Sequence, residues 1–166
     1  MRKAVFVILD HYADWEPAFL AMALRGEMGE PFEVSYASTD RQPKTSIGGL
    51  TALLDLTLSE IPPDADALIF IGADGSWKRP QQEAAALARR FYKEGKVVAG
   101  ICDAARWLGS VGLLNKLPFH ARAASTARWR ASAIHQGDID RPLVIFAFHP
   151  SPALGGRRTV VISDSV

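Results

Sequence analysis

The single cysteine of this chain, Cys102, stands where an apolar run meets a helical pattern. Val97-Val98-Ala99-Gly100-Ile101 reads as a buried strand, and Asp103-Ala104-Ala105-Arg106-Trp107-Leu108-Gly109 as the helix it enters. Gly, then a residue able to act as a nucleophile, then Ala-Ala is the pattern of a sharp strand-to-helix turn. Such a turn exposes the side chain at its apex and aims the first helical N–H groups at it. The helix N-terminus favours the thiolate. Asp103 works the other way, because one negative charge disfavours a second beside it. The plain alternatives are a small buried hydrophobe for Cys102 and a first-turn acid complementing the helix dipole for Asp103.

Glu16, in Asp14-Trp15-Glu16-Pro17, lies just past the first apolar run. A carboxyl there can reach across the strand ends to hydrogen-bond Cys102. Protonated, it donates to a thiolate; ionised, it opposes one. A solvated first-turn acid is the alternative. Gly72-Ala73-Asp74-Gly75 follows another strand and can present backbone N–H groups to an oxyanion, or be an ordinary loop. Histidines 11, 120, 135 and 149 show no H-E-x-x-H spacing, so no metal site is expected. His120 is retained as a candidate because it follows the Cys102 helix closely, with a surface loop histidine as the alternative. Neither G-x-x-x-x-G-K-[ST] nor a G-x-G-x-x-G after the first strand occurs, and no cofactor is expected.

These residues need a scaffold that brings strand ends together. Ala4–Leu9 and Ala67–Ile71 are continuous apolar runs, as expected of strands buried on both faces. Phe32–Ala37 alternates as a strand, Gln81–Glu94 has a helical stripe closed by Gly95, and Ser46–Leu56 reads as a small hairpin or a strand with a turn. Between the first two strands, Asp14 is placed as an N-cap, Phe19, Leu20, Ala23, Leu24 and Met28 as the buried stripe, and Gly29 as the stop. Strands alternating with helices predict a doubly wound, mostly parallel α/β sheet. Ligands in such sheets bind at the carboxyl ends of the strands, where Asp10–Glu16, Gly72–Gly75 and Cys102–Asp103 all fall.

Composition limits the alternatives. At 166 residues, 48% hydrophobic and 22% charged, the chain suits a single globular domain. A net charge of +1 argues against a nucleic-acid partner, and no apolar run approaches a membrane span. One cysteine excludes an internal disulfide, and a reducing cytoplasmic setting is expected. Residues 121–166 differ: six Arg and three Asp, with neither Lys nor Glu.

Taken in order with their spacing, Asp14-Trp15-Glu16, Ile71-Gly72-Ala73-Asp74-Gly75, Gly100-Ile101-Cys102-Asp103-Ala104 and Gly112-Leu113-Leu114 resemble the ThiJ/PfpI superfamily. This group belongs with the class I glutamine amidotransferase-like folds. The resemblance is closest to its bacterial intracellular protease/amidase-like branch, over residues 1 to about 120. It implies a flavodoxin-like sandwich and a homodimer. It also implies Cys102 at a nucleophile elbow, Glu16 as its carboxyl partner, and Gly72, Ala73 and the Asp103 backbone as the oxyanion region. His120 matches a histidine that follows the Gly-Leu-Leu segment. Activities in the superfamily include peptidase, amidase, glyoxalase-like hydratase, redox-sensing chaperone and regulator, so membership defines the site better than the substrate.

Two departures matter. Some peptidase members carry His directly after the cysteine; Asp103 stands there, which counts against proteolysis. After His120 comes Ala121-Arg122-Ala123-Ala124, where the resemblance implies Thr-Gly-Asn. No amphipathic closing helix follows, only Leu143–Phe148 and Thr159–Ile162 as strands. A frame-shifted or replaced tail is one expectation for 121–166 and ordinary divergence the other. The expected function is a cysteine-dependent hydrolase-like or related enzyme acting on a small carbonyl or amide compound. The alternatives are a redox sensor with an oxidisable Cys102 and an inactive relic.

Overall fold

The structure, a computed structural model, describes residues 1–27, 31–79, 81–113 and 143–146. Its elements are β1 (Arg2–Val7), α1 (Trp15–Met22), β2 (Phe32–Ser38), β3 (Lys44–Thr45), β4 (Thr51–Ala52), β5 (Leu56–Thr57), β6 (Ala67–Phe70), α2 (Gln82–Lys93), β7 (Val97–Ile101), α3 (Asp103–Ser110) and β8 (Leu143–Phe146). Six strands form one sheet in the order β5-β2-β1-β6-β7-β8, every pair parallel. This is the doubly wound parallel sheet expected from the strand–helix alternation, in the flavodoxin-like form that the resemblance implies.

The central strands are apolar without alternation because both faces are covered. Ala4 to Leu9 is at most 5% exposed, and β6 is buried along its length. Phe6, Ile8, Leu68, Phe70, Ile71, Phe91 and Leu108 are the largest fully buried side chains. Each contributes about 1.5–3 kcal/mol relative to exposure. From β1 the chain crosses to β2 on one side; from β6 it crosses to β7 on the other. The order therefore reverses between β1 and β6, which makes the carboxyl ends of those two strands the crevice of the fold.

Helix α1 departs from the expected stripe. It buries Glu16, Pro17 and Ala21, while Phe19 is 64% exposed and Leu20, Ala23 and Leu24 are half-buried. The helix is turned so that Glu16 faces the strand ends. A π-type turn over Ala23–Glu27 then breaks it at Gly26, whose φ of 119° only glycine adopts without strain. Met28 and Gly29 lie outside the described residues, as do His120, Thr159–Ile162 and all of 121–166 except Leu143–Phe146. That last segment is the expected strand, placed beside β7 with Val98 opposite Leu143.

A hairpin is present with shifted bounds, as the antiparallel pair β3–β4, which begins at Lys44, while Leu56 belongs to β5 beside β2. It folds over the end of β1, where His11 N–H donates to Thr45 C=O (2.8 Å) and Ile47 N–H to Tyr12 C=O (2.9 Å). Asp14 occupies the N-cap position of α1, but its side chain makes no cap hydrogen bond. Its Oδ2 accepts from Ser46 Oγ at 2.5 Å, and Ser46 Oγ in turn accepts Leu50 N–H at 2.9 Å. A Cβ on Gly48 would collide with the Asp14 carboxylate. Lys44, 4% exposed, extends Nζ to Asp40 Oδ1 at 2.7 Å and Asp10 Oδ2 at 3.8 Å.

Candidate active site

Cys102 terminates β7 and opens α3 with φ 53° and ψ −123°. A non-glycine residue held there costs about 1–3 kcal/mol. The turn is made possible by Gly100, where a Cβ would meet Leu108 Cδ1 at 2.6 Å and the Ala105 backbone at 3.1 Å. Helix α3 therefore rises directly over the strand that delivers the cysteine. The Cys102 side chain is exposed, so the reading as a buried hydrophobe fails.

Glu16 is the converse case. It is 3% exposed, not a solvated acid. Its Oε2 accepts the Gly72 N–H at 2.7 Å. A Cβ on Gly72 would lie 2.8 and 2.9 Å from the two Glu16 oxygens and 3.0 Å from Cys102 Cβ. Carboxyl and thiol carbon thus flank the same small space, which only glycine leaves open. Three segments far apart in sequence meet there, one after each of β1, β6 and β7.

The loop after β6 is pinned to the loop after β1. Ala13 N–H donates to Gly72 C=O (2.9 Å) and Asp74 N–H to His11 C=O (2.9 Å), around an antiparallel bridge between Tyr12 and Ala73. In a bridge bonded this way the facing residues direct their own N–H and C=O away from each other. Ala73 N–H therefore points away from Tyr12. Gly72 N–H is engaged by Glu16, so it is not the oxyanion donor expected from the sequence; its place is to hold the carboxyl. Burial, then the nearby Asp14, raises the Tyr12 phenol above its ordinary value.

Asp103 begins α3 and is half-buried, its Oδ1 3.3 Å from Arg106 Nη1. The carboxylate is occupied by Arg106 on the helix surface. Among the described residues no group of three or more His, Cys, Asp or Glu side chains could hold a metal ion. No described helix is long and apolar enough to cross a membrane.

Sequence reasoning missed Trp77. It is 4% exposed in a short 3₁₀ turn (Ser76–Lys78) after the Gly72–Gly75 loop. Its Nε1 donates to Ile71 C=O at 2.7 Å. The ring centroid lies 4.5 Å from that of Trp107 on α3 and 5.7 Å from that of Phe70 on β6. An isolated Trp in a polar loop carries no periodic signal; only its size argued for burial.

Fold and site define a doubly wound α/β protein with a cysteine at the sharp turn after one strand and a buried glutamate beside it. A model of the DJ-1/PfpI family matches residues 2–125, and the chain belongs to that family. It is 36% identical over 115 residues to a Bacillus subtilis protein named uncharacterized protease YdeA, covering 69% of this chain and 56% of that one. It is 32% identical over 114 residues to deglycase PH1704 of Pyrococcus horikoshii, covering 68% and 67%. Among solved structures, the DJ-1 superfamily protein Atu0886 of Agrobacterium tumefaciens superposes with a TM-score of 0.62 at 38% identity. That match covers 69% of this chain and 61% of the other. The chain thus spans little more than half the length of the Bacillus relative.

Proposed function

We propose that this chain is a cysteine-dependent hydrolase-like enzyme acting on a small carbonyl or amide compound, with Cys102 as nucleophile. The observation that carries this reading is the Gly72 contact set, which puts the buried Glu16 carboxyl and Cys102 around one space at the strand ends. The names of its relatives, a protease and a deglycase, are in keeping with hydrolytic chemistry at a carbonyl carbon.

In this reading Cys102 Sγ attacks as the thiolate, and the carbonyl π pair moves onto oxygen. The Ala73 and Asp103 N–H groups receive the oxyanion, one from each side of the thiol. In this reading Glu16 is protonated; Gly72 N–H occupies Oε2, which leaves Oε1 to carry the proton, donate to the sulfur and favour its charged form. On an amide, collapse of the tetrahedral adduct expels the amine, which leaves protonated. Water then hydrolyses the thioester and restores the thiol. His120 is the candidate for moving these protons. Turnover of methylglyoxal and of a peptide amide by the wild type, Cys102→Ala and Glu16→Gln is the test. Loss of at least 100-fold in Cys102→Ala supports the reading; equal rates remove Cys102 from the mechanism.

The exposure of Cys102 favours one second reading, a redox sensor in which the thiolate is oxidised to sulfinic acid. Mild peroxide followed by mass spectrometry separates the two: absence of two-oxygen addition at Cys102 ends the sensor reading.

A further inference from the structure

The peptide unit between Ile71 and Gly72 is held at both ends. On one side its C=O accepts Trp77 Nε1–H at 2.7 Å; on the other its N–H donates to Glu16 Oε2 at 2.7 Å. All four residues are buried, Trp77 and Glu16 at 4% and 3% exposure. An amide that accepts at oxygen becomes a stronger donor at nitrogen, and the effect is greatest where water is excluded. The same indole packs against Trp107, in the helix that Cys102 begins, at a centroid distance of 4.5 Å. Trp77 therefore touches both halves of the site, the loop that grips Glu16 and the helix that follows the thiol, without reaching either reacting group.

We infer that Trp77 is a positioning residue for the Glu16–Cys102 pair, acting through the Ile71–Gly72 peptide. This rests on the reading of Glu16 as the group that favours the Cys102 thiolate. The indole N–H draws electron density from Gly72 N–H, which in turn draws it from the Glu16 carboxyl. The carboxyl proton becomes a better donor to sulfur, and the thiolate is favoured. Without the indole N–H, the peptide is free to tilt and Glu16 loses both its alignment and part of this polarisation.

The pH dependence of Cys102 alkylation by iodoacetamide tests this without any substrate. Trp77→Phe keeps a ring against Trp107 and removes the donor; Trp77→Leu, a second variant without any side-chain donor, guards against a folding failure of the first. Each should raise the alkylation midpoint by about half a pH unit, a roughly threefold fall in thiolate fraction below the midpoint. The same substitution in a Glu16→Gln background should leave the midpoint where Glu16→Gln alone puts it. An equal shift in both backgrounds, or no shift with Glu16 present, overturns the inference. If Glu16→Gln alone does not move the midpoint, the reading of the pair itself fails.

Discussion

Gly72 shows how much of the site depends on the absence of one carbon. Nothing in its backbone demands glycine, since its φ lies outside the left-handed region; the demand is spatial. An added Cβ would stand 2.8 Å from a Glu16 oxygen and 3.0 Å from Cys102 Cβ, distances that force one of them to move. Gly72→Ala is therefore expected to lose about 1–3 kcal/mol of stability in urea unfolding, the usual cost of overpacking. It should also slow iodoacetamide alkylation at neutral pH, because the carboxyl is the group pushed aside. Unchanged alkylation with intact stability would mean the pocket has slack that the distances do not show. Cys102, Glu16 and the loop glycine were all visible in the sequence as candidates, since residue type and position after a strand sufficed. The burial of Glu16 was not visible. Glu16 reads as a first-turn acid, and a tertiary bond to Gly72 N–H, 56 residues away, holds it inward.

At the level of elements, the joint between β7 and α3 sets where the thiol stands. Gly100 admits α3 to within contact of the strand, and two of the three atoms its Cβ would strike belong to helix backbone, which cannot rotate away. Gly100→Ala should cost about 1–3 kcal/mol, read by urea unfolding, and should alter Cys102 alkylation with it. The β3–β4 hairpin is fastened differently, by charge. Hydrogen bonding from Lys44, foremost among its causes, holds the Asp40 carboxyl below its ordinary value of 3.8. An acid depressed by folding adds stability that is present above the unfolded value and lost as pH falls through the lower folded one. Wild type should thus melt above Asp40→Asn at pH 6, and the gap should narrow below about pH 4 and vanish at lower pH. A gap that persists unchanged at pH 2 would show that Asp40 acts by packing alone. Strands β1, β6 and β7 were legible because burial on both faces writes itself as uninterrupted apolar sequence. The Asp14–Ser46 bond was not, because Asp before a helix fits an N-cap equally well and 32 residues separate the partners. The facing of α1 was misread for a related reason: its moment is weak, and the site, not the apolar count, decides its rotation.

Across the whole molecule, the family model stops at residue 125, close to where the sequence changes character. A frame-shifted or replaced tail remains our proposal for 121–166. The strand at Leu143–Phe146 asks little of such a tail, since four apolar residues beside an open strand edge suffice. Translating the other reading frames of the coding DNA downstream of His120 decides it: a Thr-Gly-Asn continuation supports the shift, and its absence from both removes it. The family portion leaves a second feature exposed. Trp15, Phe19 and Met22 are 51%, 64% and 44% exposed and recur at helical spacing on one side of α1. Ile47, Leu50 and Leu53 on the hairpin are exposed as well. Hairpin and helix start are joined through Ile47 N–H to Tyr12 C=O and Ser46 to Asp14, so the two sets stand on neighbouring elements. A patch of that kind is the mark of a protein interface. The occupant we propose is a second copy, the homodimer implied by the resemblance. Light scattering on the eluting peak should give twice the chain mass. Phe19→Glu puts a charge at the centre of the stripe, at a position too exposed to disturb the core, and should yield monomer with an unchanged circular dichroism spectrum. A wild-type chain that elutes as monomer at micromolar concentration, or a Phe19→Glu variant that stays dimeric, would assign this surface to something other than self-association.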